Sequence, residues 1–375
     1  MKQRVVKIVF TVLFLLLLFA PTAVWVLAGG RLKNENLENR VLAEKPQFSL
    51  ANLEKLPSLY EKYYRDNLPF RNQLISLYAH EERALFYNPI VTTVTFGKGN
   101  WLYYINVNQG NPVASYRGED LFSPEELRNI VINLRKTRDN LKKIGCDFVL
   151  LLAPNKFRVY PEYFPDYYGQ MGETSAIGQL YDFVKKHTDI KILYAYDQLM
   201  QAKADFPDVP IYFTTDTHWN RVGSYTASKL LMDTLNIQLP ALSRENIVQK
   251  ETPYAGDLTK LTHLSDTMAV DREYYVKDEA RPKYTQKNTN NGLVHYGWSD
   301  AGQGRKLFIR TDSFGELMLE YLMPYFSQTV AMYNSEYEHQ AVDELQPDVF
   351  VQVCLERIMW EQLLNGPLYV LPEDR

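Results

Sequence analysis

The chain has 375 residues and a formal net charge of −4, with acidic and basic residues mixed along its length rather than gathered in blocks. That length allows one to three domains, and an evenly mixed, slightly acidic surface argues against nucleic acid as a partner. Tyrosine is abundant, at 27 residues, but it suits strand faces as well as sugar-stacking surfaces and identifies no ligand by itself.

Lys2, Arg4 and Lys7 precede an uncharged run from Ile8 to Gly30. The apolar part of a cleavable signal is roughly 7–15 residues, whereas about 20 span a bilayer. Residues 1–30 therefore read as an uncleaved signal-anchor, basic end in the cytoplasm and everything after Arg31 exported; Val26-Leu27-Ala28 before Gly29 also fits a small-residue cleavage site. From 31 to 89 the chain is polar and helix-prone, with Glu38-Asn39-Arg40, Lys45-Pro46 and the run Tyr64 to Arg71 as its notable words. Its aromatic content reads as a helical stalk or collar packed on the main domain, not as a disordered linker.

Ile90 to Phe96 and Trp101 to Ile105 read as a hairpin across Gly97-Lys98-Gly99-Asn100. Ser123-Pro124-Glu125-Glu126 opens a helix to about Ile144, with Ser at the N-cap, Pro at the first position and acids in the first turn. Strands are expected at Asp147–Pro154, Lys191–Tyr196 and Pro210–Thr215, and helices at Gly178–His187 and Val222–Leu235. Residues 240–304, rich in Thr, Asn, Asp and Gly, read as an irregular insertion. Regular alternation resumes with strands at Lys306–Arg310, Thr329–Tyr333 and Asp348–Cys354 and helices at Phe314–Phe326 and Glu336–Leu345. Such alternation means an α/β domain over 90–375 with a doubly wound, mostly parallel sheet. Cys146 and Cys354 adjoin buried strands and read as free thiols or one disulfide; no CxxC or Cys/His cluster points to zinc.

Two segments carry chemistry: Thr215-Asp216-Thr217-His218-Trp219-Asn220 and Arg310-Thr311-Asp312-Ser313-Phe314-Gly315. Each follows an apolar run and precedes a helical pattern, so both are expected on turns at the carboxyl edge of the sheet. Serine is a weak nucleophile at neutral pH and needs an imidazole in reach and a carboxylate that fixes its tautomer. Ser313 is the nucleophile candidate, His218 the base and Asp216 its orienter, since residues two apart in an extended loop point the same way. The Ser313 amide and the start of the following helix are the expected oxyanion donors. Other readings stand beside this one: Asp216 as a cap for the helix near Val222, Asp216 with His218 as two metal ligands, and Asp312-Ser313 as ordinary N-cap chemistry. The remaining histidines, His80, His187, His263, His295 and His339, lack ligand spacing. Lys156 follows a strand and faces the same edge, where it meets an anionic glycan or pairs with a carboxylate. Trp219 stacks a sugar or walls the pocket, and Asn220 and Arg310 complete the substrate-contact candidates.

The stretch Tyr212 to Asn220, followed by Gly223, resembles the Asp-x-His-Trp signature of the alginate O-acetyltransferase AlgX/AlgJ family, whose catalytic domain is SGNH-hydrolase-like. Further words agree in order: Glu38-Asn39-Arg40, Phe70-Arg71, Phe96-Gly97, Trp101-Leu102-Tyr103, Ala153-Pro154-Asn155-Lys156, Tyr160-Pro161-Glu162, Gly256-Asp257-Leu258, Asp312-Ser313-Phe314, Pro347-Asp348 and Glu356-Arg357. The resemblance implies a triad of Asp216, His218 and Ser313, in an order permuted relative to ordinary SGNH hydrolases. It implies an extracytoplasmic O-acetyltransferase working on a polysaccharide acceptor through an acetyl-enzyme, supplied with acetyl groups by a membrane-bound O-acyltransferase, with no cofactor and no metal. An acetylesterase with the same triad, and a non-catalytic glycan-binding component of a polysaccharide export machine, are the competing expectations. Two departures stand out. Thr311 occupies a position where the family commonly has Gly, and the chain stops at Arg375, which implies the single-domain, membrane-anchored kind.

Overall fold

The computed structural model describes residues 2–28, 41–268, 270–289, 292–333 and 338–374. It divides into two units, Met1–Val91 with Thr259–Thr267, and Thr92–Leu258 with Met268–Arg375.

In the first unit the helix Lys2–Ala28 contains the span Gln3–Leu27, mean hydropathy 2.5, long and apolar enough to cross a membrane. The Trp25 ring meets Tyr63 and Tyr64 edge-on at 6.2 and 5.6 Å. Both tyrosines belong to the helix Leu56–Asn67, which Leu68 to Phe70 separate from the helix Arg71–Phe86. Phe70 adopts the left-handed conformation, φ 61°, that breaks the path between them. Asp66 is buried and accepts the Ala43 amide at 2.9 Å. The word Glu38-Asn39-Arg40 lies outside the described residues.

The second unit carries the strands β1 Val94–Phe96, β2 Leu102–Tyr104, β3 Asp147–Ala153, β4 Lys191–Tyr194, β5 Ile247–Tyr254, β6 Asp271–Val276, β7 Tyr284–Thr289, β8 Val294–Ser299, β9 Lys306–Thr311, β10 Gln328–Tyr333 and β11 Val349–Leu355. Seven form one sheet in the order β4-β3-β11-β9-β10-β8-β7. The first five are parallel, and β8 and β7 extend the sheet antiparallel. The parallel strands read as near-continuous apolar runs because they are buried on both faces. Val149, Leu151, Ile309, Val351 and Val353 point to one core cluster with the helices Tyr196–Asp205 and Arg221–Thr234. Phe148, Leu150, Phe308, Phe350 and Cys354 point to the other, with Pro124–Lys143 and Ala176–His187. The expected capping box is present: Ser123 Oγ accepts from the Glu126 amide and Glu126 returns the bond.

Three expectations need correcting. Pro210–Thr215 is not a sheet strand. Its apolar run pairs back on the following residues, Phe213 N to His218 O and Asn220 N to Ile211 O, around a bridge between Tyr212 and Trp219. The helix expected over Phe314–Phe326 is broken into Ser313–Glu316, Leu319–Leu322 and a 3-10 turn Met323–Tyr325. Trp219 Nε1 takes the Phe314 carbonyl that an α-helix would give to residue 318, and Pro324 has no amide to continue the ladder. Residues 240–304 hold β5 to β8 rather than irregular chain; polar residues interrupt these strands, and the edge strand β7 is Tyr284-Thr285-Gln286-Lys287-Asn288-Thr289, so no apolar run marks them. Cys146 and Cys354 are free and buried, and burial pushes the Cys146 thiol up to about 12.

The ends of β3 and β11 are tied by a buried ion pair. Glu356 Oε1 accepts Arg158 Nε at 2.6 Å and Ser115 Oγ at 3.1 Å, and Oε2 accepts the Asn155 amide at 2.9 Å. Glu356 and Arg158 are 0 and 4 % exposed. Removing one partner strands the other, so Glu356→Ala is expected to lower unfolding free energy by about 3–5 kcal/mol in denaturant titration of the second unit's transition.

Candidate active site

Ser313 stands directly beyond β9, at the first position of the single turn Ser313–Glu316. Asp312 caps this turn. Its Oδ1 accepts the Phe314 amide at 2.9 Å, and its Oδ2 accepts the Leu355 amide at 2.8 Å, which fastens the nucleophile turn to the end of β11. The departure at Thr311 has a steric explanation. Thr311 is a regular β9 residue paired with Tyr333, and its hydroxyl donates to the Asp312 carbonyl at 2.8 Å. A Cβ at residue 315 would lie 1.8 Å from that hydroxyl, so Gly315 leaves the room that Thr311 fills.

The Asp216–His218 segment has no sheet strand beneath it, so its backbone polar groups need other partners. Two buried charges supply several of them, and the β2 amide of Leu102 adds a bond to the Thr214 carbonyl at 2.8 Å. Lys156 Nζ donates to the carbonyls of Phe213, Thr214 and Asp216 at 3.1, 3.1 and 2.7 Å. Asp271, in β6, accepts the amides of Thr214 and Thr215 at 2.6 and 2.7 Å and both their hydroxyls. Gly256 presses on the same loop: a Cβ there would meet the Thr215 carbonyl oxygen at 2.2 Å.

With the loop so held, His218 bridges the other two residues. His218 Nε2 lies 2.6 Å from Ser313 Oγ and Nδ1 lies 2.5 Å from Asp216 Oδ1. Asp216 is ionised, so Nδ1–H donates to it and the Nε2 lone pair faces the serine hydroxyl. Asp216 is saturated: Oδ1 also accepts the His218 amide at 3.0 Å, and Oδ2 accepts Tyr254 Oη at 3.0 Å and the Asp257 amide at 2.9 Å. Asp257 reciprocates by accepting the Thr217 amide and hydroxyl, each at 2.8 Å.

The electrostatics follow from these contacts. Burial by itself raises the Asp216 carboxyl, but its hydrogen bond and attraction to His218 hold it well below the usual carboxylate range. Burial favours a neutral His218, yet Asp216, through its hydrogen bond and its charge, and Asp257 raise the imidazole above its ordinary value. Asp257, 4.0 Å from Nδ1, is pushed upward by burial and by Asp216. Ligand atoms of Asp216, His218 and Asp257 lie within 4.8 Å of one another, a grouping able to hold a cation. In the present arrangement both ring nitrogens already face a proton partner.

Ser313 and His218 open onto a cavity of about 230 Å³ whose walls include Phe213, Tyr254, Arg221, Glu273, Glu316 and Leu317. None of the four expected substrate contacts is on this list. Trp219 is 0 % exposed and packs on Phe314 at 5.0 Å. Asn220, also 0 % exposed, caps the helix Arg221–Thr234 by accepting the amides of Val222 and Gly223. Lys156 is spent on backbone carbonyls, and Arg310 pairs with Glu338 at 2.6 Å and Gln352 at 2.9 Å beside a separate cavity. Polar side chains near a loop of this kind are consumed by holding its backbone. Asp271, Tyr254 and Asp257 are site residues that the sequence reading does not single out; Asp257 sits in a family word, while Asp271 and Tyr254 have no local signal.

The sequence profile described as "SGNH hydrolase-like domain, acetyltransferase AlgX" matches residues 94–295, more than half of the chain. A protein of Pseudomonas syringae pv. tomato named probable alginate O-acetylase AlgJ is 30 % identical over 203 residues, 53 % of this chain and 48 % of that one. The chain thus spans about half the length of the relatives it matches. Among solved structures, Bacillus cereus PatB1 aligns with a TM-score of 0.54 at 13 % identity, covering 71 % of this chain and 96 % of its own. A DHHW family protein from Eubacterium siraeum aligns at 0.50 and 14 % identity, covering 74 and 99 %. These two likenesses concern the fold alone. With the profile match spanning the Asp216–His218 loop on an SGNH-like mixed sheet, the chain belongs to the AlgX family of SGNH hydrolase-like acetyltransferase domains.

Proposed function

We propose that the chain is an extracytoplasmic O-acetyltransferase that esterifies hydroxyls of a polysaccharide through Ser313, His218 and Asp216. The observation that carries this reading is the continuous line from Asp216 Oδ1 through His218 to Ser313 Oγ, with links of 2.5 and 2.6 Å. The name of the Pseudomonas syringae relative supports a glycan acceptor. Lys2, Arg4 and Lys7 at the start of the helix Lys2–Ala28 support a membrane anchor with the rest of the chain outside the cytoplasm. A membrane-bound O-acyltransferase is the proposed acetyl supplier.

In the first half-reaction Ser313 Oγ attacks the donor carbonyl while its proton passes to His218 Nε2. The oxyanion collapses, the leaving group takes that proton, and Ser313 carries the acetyl ester. A sugar hydroxyl then gives its proton to Nε2 and attacks the ester; collapse returns the proton to Ser313 Oγ and releases the acetylated sugar. Asp216 stays ionised throughout and stabilises the imidazolium. The Phe314 amide is bound by Asp312 and does not serve the oxyanion. Arg357 is the proposed support for it: its Nε is buried without a hydrogen-bond partner among the described residues, and its guanidinium lies 5.9 Å from the Phe314 ring.

Incubating the protein with an activated acetyl ester and candidate oligosaccharides, with mass analysis of the sugars, tests the reading. Acetylated sugar is expected, and Ser313→Ala should lower its formation about 10⁴-fold while the fold is kept. Free acetate with no acetylated sugar would mean an esterase; glycan binding with turnover untouched by Ser313→Ala would mean a binding protein. The pH profile gives an independent check. His218 acts as a base only when neutral, and its proton affinity is raised. Activity should therefore fall on acidification with a midpoint above the ordinary imidazole value of about 6.5; a midpoint below it would contradict the Asp216–His218 pairing.

A further inference from the structure

Lys156 is 5 % exposed, and its ammonium lies over the faces of Trp101 and Tyr103, 5.6 and 5.1 Å from the ring centroids. It has three N–H bonds and gives one each to the carbonyls of Phe213, Thr214 and Asp216; the Thr214 oxygen also accepts the Leu102 amide at 2.8 Å. The third of these carbonyls belongs to Asp216 itself, two residues before the base. A neutral amine has only two N–H bonds and would turn its lone pair toward one of these three carbonyl oxygens, replacing an attraction by a repulsion at the loop's backbone.

We propose that the Lys156 ammonium is the positioning group of the Asp216–His218 loop, keeping His218 against Ser313 only while all three of its N–H bonds are present. This rests on the catalytic reading above for its consequence, though not for its geometry. The acids around Lys156 are Asp271 in β6, Asp216 in the loop and Asp257 beyond Gly256; they favour the charged form, but burial outweighs them and draws the ammonium down to about 8. The other titratable neighbours do not change on the alkaline side. His218 loses its proton in the rise toward activity, and burial pushes the hydroxyls of Tyr103, Tyr160, Tyr212 and Tyr254 upward, so they stay protonated. The conversion therefore lies within ordinary alkaline buffers and belongs to Lys156.

The sign of the linkage separates this role from a merely structural one. A lysine whose folded pKa is depressed binds its proton less well folded than unfolded, so its titration adds to stability as pH rises from about 8 toward the ordinary lysine value of about 10.4. Loss of this charge disarms the site without weakening the fold.

The full chain in detergent tests this by two readouts followed from pH 7 to about 10. One is hydrolysis of p-nitrophenyl acetate; the other is the low-field proton resonance of His218 Nδ1–H, assigned with His218→Gln. The wild type should lose tenfold or more in kcat, with KM little changed, and lose the resonance over the same range. Both should be reversible, with Tm flat or rising. Lys156→Arg, which keeps its charge throughout, should hold both readouts to about pH 10. If the bulkier guanidinium prevents folding, the wild-type titration still decides. A resonance that persists to pH 10, or a Lys156→Arg protein with an unshifted alkaline limb, overturns the proposal. A resonance that titrates as expected in a protein with no ester turnover at any pH upholds the positioning role and removes the catalytic reading instead.

Discussion

Asp216 and His218 ride on a loop outside the seven-stranded sheet, and the proposed chemistry depends on how that loop is held. Inside a sheet, the backbone groups of residues 213–217 would be satisfied by neighbouring strands. Here one buried cation takes three carbonyls and one buried carboxylate takes two amides, with the Leu102 and Leu258 amides and the Asp257 carboxylate meeting others. Neither Lys156 nor Asp271 lines the cavity, yet each bonds the loop that carries His218. Burying two charges is costly in general; the cost falls here because each finds several hydrogen bonds and an opposite charge nearby.

The nucleophile is held by a different device. Ser313 follows β9, and its turn is sewn to β11 through Asp312 and to the His218 loop through the Trp219 indole. The end of β11 is in turn sewn to the end of β3 by Glu356. Three parallel strand ends and one unsupported loop are thus brought into register by four buried polar side chains and one indole. In the proposed mechanism, proximity of this kind makes Ser313 a nucleophile, because the groups are pre-aligned before substrate arrives.

Much of this was legible from residue order. The parallel strands announced themselves as apolar runs, the helix at Ser123 by its cap, and the three residues proposed to react by a family signature around Asp216-Thr217-His218. What misled was the assumption that an apolar β-rich run beside the site, Pro210–Thr215, must join the sheet; period alone does not say with what a strand pairs. The same limit applies to side chains. Lys156, which follows β3, and Trp219 and Asn220, which adjoin His218, read as substrate contacts or as structural residues, and the second reading fits, because a polar group near irregular backbone is claimed first by that backbone. Asp271 lies 53 residues beyond His218 in sequence order and in an edge strand, so only the fold brings it to Thr214 and Thr215.

The central claim is that Asp216, His218 and Ser313 act as one proton-linked unit with Ser313 as the acyl carrier. Mass analysis of the digested protein after brief exposure to an activated acetyl ester at mildly acidic pH, where deacylation is slow, tests it most directly. The account predicts one added acetyl group on the peptide containing Ser313, absent when His218 is replaced by Gln. An acetyl group found elsewhere, or found on Ser313 equally with and without His218, would contradict it.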